Sequence, residues 1–83
     1  MKDVIFKTVV QGSSIIFLDI PQDDFYYEYN NISIDAAKKL TKSYFREKDE
    51  NRDFDIVDVR KDDYTNNVEI TVKLDNSKRL SLV

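Results

Sequence analysis

Histidine and cysteine are both absent from this chain of 83 residues, so any chemistry must come from carboxylates, amines and hydroxyls. The inventory removes the usual general base near neutral pH and the commonest metal ligand. It also removes thiolate nucleophiles, thiolate zinc sites and disulfides. Ser-His-Asp, Cys-His and His-metal arrangements are thereby excluded. A single glycine leaves no glycine-rich loop to cradle a phosphate.

The carboxylates come in two groups. Asp23, Asp24 and Glu28 have the residue types of an acid-base pair or a magnesium site. Such chemistry needs carboxylates held in a cleft with displaced pKa values. Nothing in the sequence points to either, so a solvated acidic segment is the default, and a carboxylate or magnesium-dependent enzyme ranks last among the functional readings. The run from Asp49 to Ile56, DENRDFDI, resembles the start of an EF-hand calcium loop, with oxygen side chains at alternate positions. Phe54 stands where glycine permits the sharp turn, and Arg60 where a bidentate glutamate should close the cage. The segment reads as an acidic connection, and calcium binding is not expected. No catalytic residue, cofactor or metal ligand is assigned.

Two other constellations concern binding. Phe25, Tyr26, Tyr27 and Tyr29 are interleaved with Asp23, Asp24 and Glu28. Tyrosine is enriched at interface hot spots, because its ring buries area while its hydroxyl tolerates water. In a domain this small, some of these rings are equally needed for the core, and a mixed outcome is expected. Lys38, Lys42 and Arg46, with Lys39 beside them, fall on one helical face and could grip phosphates. Nucleic-acid domains are usually basic overall, with aromatics among the basic residues. The net charge here is −3 and the aromatics read as lying elsewhere. A solvated helix face, or a contact with an acidic protein patch, therefore outweighs a nucleic-acid site.

The basic face belongs to the one long stretch that reads as helix, Ser33 to Lys48. Ala36, Ala37, Leu40 and Tyr44 share a stripe at helical spacing, with Ile34 and Phe45 at its edge. Asp35, Lys38, Lys39, Lys42, Ser43 and Arg46 occupy the opposite arc. Ser33 is an N-cap, able to accept from an unpaired first-turn amide. Asp35 complements the positive helix end, and Arg46 and Lys48 the negative end. The charge is uneven: five cations against Asp35 and Glu47 make residues 33–48 +3, and the remainder of the chain carries −6.

Strand-like runs flank the helix. Residues 3–10 and 14–20, joined by a turn at 11–13 with Gly12, read as a hairpin that is apolar on both faces. Residues 21–31, opened by Pro21, are compatible with a short helix, a strand or an ordered loop. Residues 53–60 read as a strand whose apolar phase shifts, through burial on both faces or a bulge near Ile56. Residues 68–74 alternate cleanly, with Val68, Ile70, Val72 and Leu74 inward. After a turn at 75–77, residues 79–83 suggest a short last strand.

These elements predict one α+β domain over residues 1–83: an antiparallel sheet of four or five strands, in the order β-β-α-β-β-β, with one long amphipathic helix on one face. One helix covers one face, so the second apolar face of the hairpin needs cover. The Phe25–Tyr29 segment, curling of the sheet, or a second molecule could supply it.

No signal-peptide pattern or membrane-length apolar run is evident, which suggests a cytoplasmic protein. The expected function is a non-enzymatic protein-interaction module, binding another protein or a second copy of itself through the second sheet face. Small size, acidity and a residue usage rich in Lys, Asn, Asp and Ile suggest an accessory protein of a phage or mobile element that inhibits or modulates a host protein. Its acidic surface could imitate nucleic acid toward a basic groove. The alternative is a nucleic-acid binder using Lys38, Lys39, Lys42 and Arg46.

Overall fold

Alternation of burial along Ile15–Pro21 sets the architecture: Ile16, Leu18 and Ile20 are buried, and the residues between them are half-buried. A pleated strand sends successive side chains to opposite faces, so one face of this strand is core and the other is not. The computed structural model describes residues 5–49 and 52–74. In chain order the elements are β1 (Phe6–Val9), β2 (Ile15–Pro21), α1 (Gln22–Glu28), α2 (Ile34–Glu47), β3 (Phe54–Asp62) and β4 (Asn67–Leu74). The strands form one antiparallel sheet in the order β1-β2-β4-β3. The suggested last strand at 79–83 and turn at 75–77 lie outside the described residues, as do residues 3 and 4 of the first strand. No helix among the described residues is long and apolar enough to cross a membrane.

The core lies between one sheet face and the two helices. Ile16, Leu18 and Ile20 of β2 stand directly across from Val72, Ile70 and Val68 of β4. Phe25 of α1 and Ala36, Ala37, Leu40, Tyr44 and Phe45 of α2 complete the buried cluster. The long helix thus buries the stripe its sequence marks out, while Ile34, at the stripe's edge, is exposed. Ser33 caps it: Ala36 N–H donates to Ser33 Oγ at 3.1 Å. The bulge near Ile56 is present, with the β3–β4 register shifting between Ile56 and Asp58. It leaves Val57 exposed and returns Val59 to the core side opposite Ile70.

Two features differ from the sequence reading. A second helix, α1, occupies part of the segment left open between helix, strand and loop. It follows β2 directly, with Pro21 at its N-cap position and Asp23 and Asp24 in its first turn. Gln22 ties it to the β3–β4 turn: Gln22 N–H donates to the Asn66 carbonyl at 2.8 Å, and its side-chain amide donates to the Asp62 carbonyl. The described order is therefore β-β-α-α-β-β. Second, all of β1 is exposed, including Lys7 and Val9, although these two pair with the buried Leu18 and Ile16.

Candidate functional site

The carboxylate segment 23–28 does not form a cleft. Asp23 and Glu28 are exposed and Asp24 is half-buried on a helix of seven residues. Among the described residues, no group of three or more histidine, cysteine, aspartate or glutamate side chains is placed to hold a metal ion. Asp53 runs into β3, whose extended backbone begins at Phe54. That geometry is a strand and not a coiled calcium loop.

The aromatic segment divides between core and surface. Phe25 is completely buried and Tyr29 packs against the core, their ring centroids 5.2 Å apart. Tyr26 is 44% exposed, its ring edge-on to Phe25, and Tyr27 is 89% exposed. The helical turn causes this division, since Phe25 and Tyr29 are four residues apart on one face. Of the four aromatic rings named as candidates for a partner or for the core, Phe25 belongs to the core, Tyr29 packs against it, and Tyr26 and Tyr27 are exposed, a mixed division. Burial lifts the Tyr29 hydroxyl pKa above its ordinary value, and the Glu28 carboxylate adds to the rise.

The second sheet face carries a larger feature. Residues directly opposite on antiparallel strands share a face. One row across the sheet reads Phe6, Asp19, Glu69, Arg60, and the next reads Thr8, Phe17, Thr71, Asp58. Ile15, Lys73 and Asp55 make a third row, and Asn67 and Asp62 close the far end. Both helices pack on the other side, so no described helix covers these residues. Phe6, 66% exposed, Phe17 and Ile15 are apolar residues of this face, one in each of the three rows. Beside them, Asp19, Asp55, Asp58, Asp62 and Glu69 stand against Arg60 and Lys73, five carboxylates to two cations. Arg60 engages Glu69 through Nε at 3.3 Å and Nη2 at 3.1 Å. Partial burial pushes the Asp19 carboxyl pKa up, and repulsion from Glu69 and Asp62 pushes it further.

The predicted basic residues also come together. Lys38, Lys39, Lys42 and Arg46 of α2, with Arg52, line an open cleft of about 880 Å³ between the helix and the connection to β3. Phe45 and Phe54 lie in its lining, edge to face at 5.4 Å, where α2 rests on β3. Asp49 and Asp53 complete it. Lys39 pairs with Asp35 at 3.4 Å, both side chains well exposed. Among the described residues, Lys38, Lys42 and Arg46 have no ion pair. Arg52, Phe54 and Asp53 were not singled out from sequence as cleft residues, because their part depends on where α2 crosses β3.

Comparison with protein-family models, curated proteins and solved structures finds no significant match to this chain.

Proposed function

We propose that this chain is a small, non-enzymatic protein-binding module of the cytoplasm, which docks a basic partner on the acidic open face of its sheet. The observation that carries this reading is the sheet face that neither described helix covers, where Phe6, Phe17 and Ile15 stand beside five carboxylates. Apolar contact supplies affinity and complementary charge supplies orientation and on-rate. Burial first, and then repulsion from Glu69 and Asp62, disfavours the charged form of Asp19, and a cation arriving beside it would offset the repulsion.

The same charges argue against a second copy as the occupant. An isologous dimer sets one patch against itself. Here that would press an acid-rich surface onto an identical one, with like charges opposed. A basic groove on a different protein fits better. If that groove ordinarily holds nucleic acid, occupying it would make this chain an inhibitor, in keeping with an accessory protein of a phage or mobile element that modulates a host protein. Tyr26 and Tyr27 on α1 offer a smaller exposed strip at a separate surface.

The test is affinity capture from a lysate of the source cells, with three baits compared. The wild-type chain should retain a basic partner. A charge-reversed sheet face, Asp55→Lys with Asp58→Lys, should lose it. Tyr26→Ser with Tyr27→Ser should keep it. Equal recovery of the same partner on the wild-type and charge-reversed baits would rule out the sheet face as the docking surface.

A further inference from the structure

We propose that the cleft along α2 is a second, independent site that binds single-stranded nucleic acid through its phosphates. Three observations point there. First, Lys38, Lys42 and Arg46 have no ion pair among the described residues, in a chain with more acids than bases. Like charges four residues apart destabilise a helix. The stripe therefore weakens α2 unless an anion neutralises it.

Second, successive members of the stripe are separated by about 6 Å along the helix axis, four residues at about 1.5 Å each. That is comparable to the spacing of neighbouring phosphates on an extended strand. Third, the cleft is more than a charged ridge. Its volume of about 880 Å³ reaches well beyond one phosphate, and its lining includes the half-buried Phe54 as an apolar contact for a base. Asp49 and Asp53 line the same cleft. They repel the phosphates of a strand as they repel an acidic peptide, but a nucleobase also brings amino or imino donors that they can accept, which an acidic side chain does not.

The net charge of −3 does not oppose this: five of the acids, Asp19, Asp55, Asp58, Asp62 and Glu69, are on the open sheet face, and in the cleft lining five cations stand against Asp49 and Asp53. The outer arc of α2 is separated from the open sheet face by the helix and the sheet, and the helix alone is about 10 Å across. At physiological salt the screening length is about 8 Å. A strand in the cleft meets mainly the local surplus of cations.

The experiment is fluorescence anisotropy with short labelled single strands, poly-dT and poly-U, titrated with the full chain across a salt series. Binding should weaken with salt at a log-log slope of about −2, since each of three phosphate contacts on a single strand contributes about −0.7. The variant Lys38→Ala/Lys42→Ala/Arg46→Ala should bind at least about tenfold more weakly and flatten that slope. All three side chains are exposed, so its thermal unfolding should match or exceed the wild type. Poly-glutamate at equal charge should fail to displace the strand. No binding at low salt, unchanged affinity in the triple variant, or displacement by poly-glutamate would overturn the proposal. ATP binding as tightly as the strands would also overturn it, moving the site to a free nucleotide. The charge-reversed sheet variant Asp55→Lys/Asp58→Lys separates the two readings: capture of a protein partner depends on it, and dependence of strand binding on Lys38, Lys42 and Arg46 does not.

Discussion

Asp19 and Glu69 stand directly opposite each other on the adjacent strands β2 and β4, on the sheet face that neither helix covers. Like charges at opposed positions destabilise an antiparallel pair. Arg60, opposite Glu69 on the next strand, answers one of the two carboxylates and leaves Asp19 without an ion pair among the described residues. A fold selected for stability alone would place a neutral or cationic residue at position 19. On the proposed docking surface, a cation from a basic partner would answer Asp19.

Asp19→Asn tests this directly. The folded-state pKa of Asp19 is raised above its ordinary value of 3.8, first by burial and then by Glu69 and Asp62. A raised carboxyl pKa means that the folded state holds the proton more tightly than the unfolded state. This group's contribution to stability is then fully present below about pH 3.8 and is lost as pH rises through the folded pKa. The asparagine variant should be more stable than wild type at pH 7 by about 0.5 kcal/mol. The difference should vanish in more acidic buffer, below the ordinary carboxylate range. Urea unfolding of both proteins across that pH series gives the answer, and a constant difference would assign the effect to something other than ionisation. Asp19→Asn should also weaken capture of a basic partner.

Much of this fold is legible in the chain, and the reason is periodicity over sufficient length. The Ser33 cap is followed by an apolar stripe from Ala36 to Phe45 that runs for nearly three turns of α2, and Val68, Ile70 and Val72 alternate without interruption. The phase break after Ile56 announces a bulge because a pleat cannot otherwise place both Ile56 and Val59 toward the core. Segment 21–31 resisted because two turns of helix and a short strand can both accommodate Phe25, Tyr27 and Tyr29. What decides for helix is tertiary: Gln22 hydrogen-bonds to Asn66 and Asp62, far along the chain. The cleft resisted for the same reason. Phe45 sits between Lys42 and Arg46 in sequence, a visible hint, but Phe54 reaches the same place only because α2 crosses β3.

The division of the aromatic segment predicts two opposite outcomes. Phe25 is wholly buried, so Phe25→Ala should destabilise the protein by about 3–5 kcal/mol, through lost burial and the cavity left behind. In a domain this small that loss is enough to abolish the cooperative thermal transition. Tyr27→Ala, at a ring 89% exposed, should change stability by less than about 0.5 kcal/mol. Circular dichroism melts of the two variants suffice. A large loss from Tyr27→Ala would mean that its ring packs in solution.

Thr41 presents a defect in the core. Its side chain is fully buried on the inner side of α2, and its hydroxyl has no hydrogen-bond partner among the described residues. A buried hydroxyl without a partner retains its desolvation cost with nothing to offset it. Valine has nearly the same shape and the same β-branch, so it costs the helix no additional rotamer freedom. Thr41→Val should stabilise the protein by about 1 kcal/mol, seen as a higher urea midpoint at unchanged slope. Destabilisation would show that the hydroxyl donates to a carbonyl of the preceding turn.

Asp49 carries the last prediction. It follows the C-cap Lys48 with φ of 59°, a left-handed conformation that suits glycine, and its N–H donates to the Arg46 carbonyl at 3.1 Å. Aspartate tolerates this backbone better than most residues but still bears a steric cost. Its carboxylate also sits at the negative end of the helix, where a cation would be favoured. Asp49→Gly should therefore raise the stability of the domain by about 1 kcal/mol, measured as a shift in the thermal midpoint. The same variant bears on the cleft, since Asp49 is one of its two carboxylates. If Asp49 accepts from a base, the glycine variant should be more stable yet discriminate less between strands and poly-glutamate. A glycine variant that is less stable than wild type would mean that the aspartate side chain caps the helix end in solution, and the conformational cost assigned to it would be wrong.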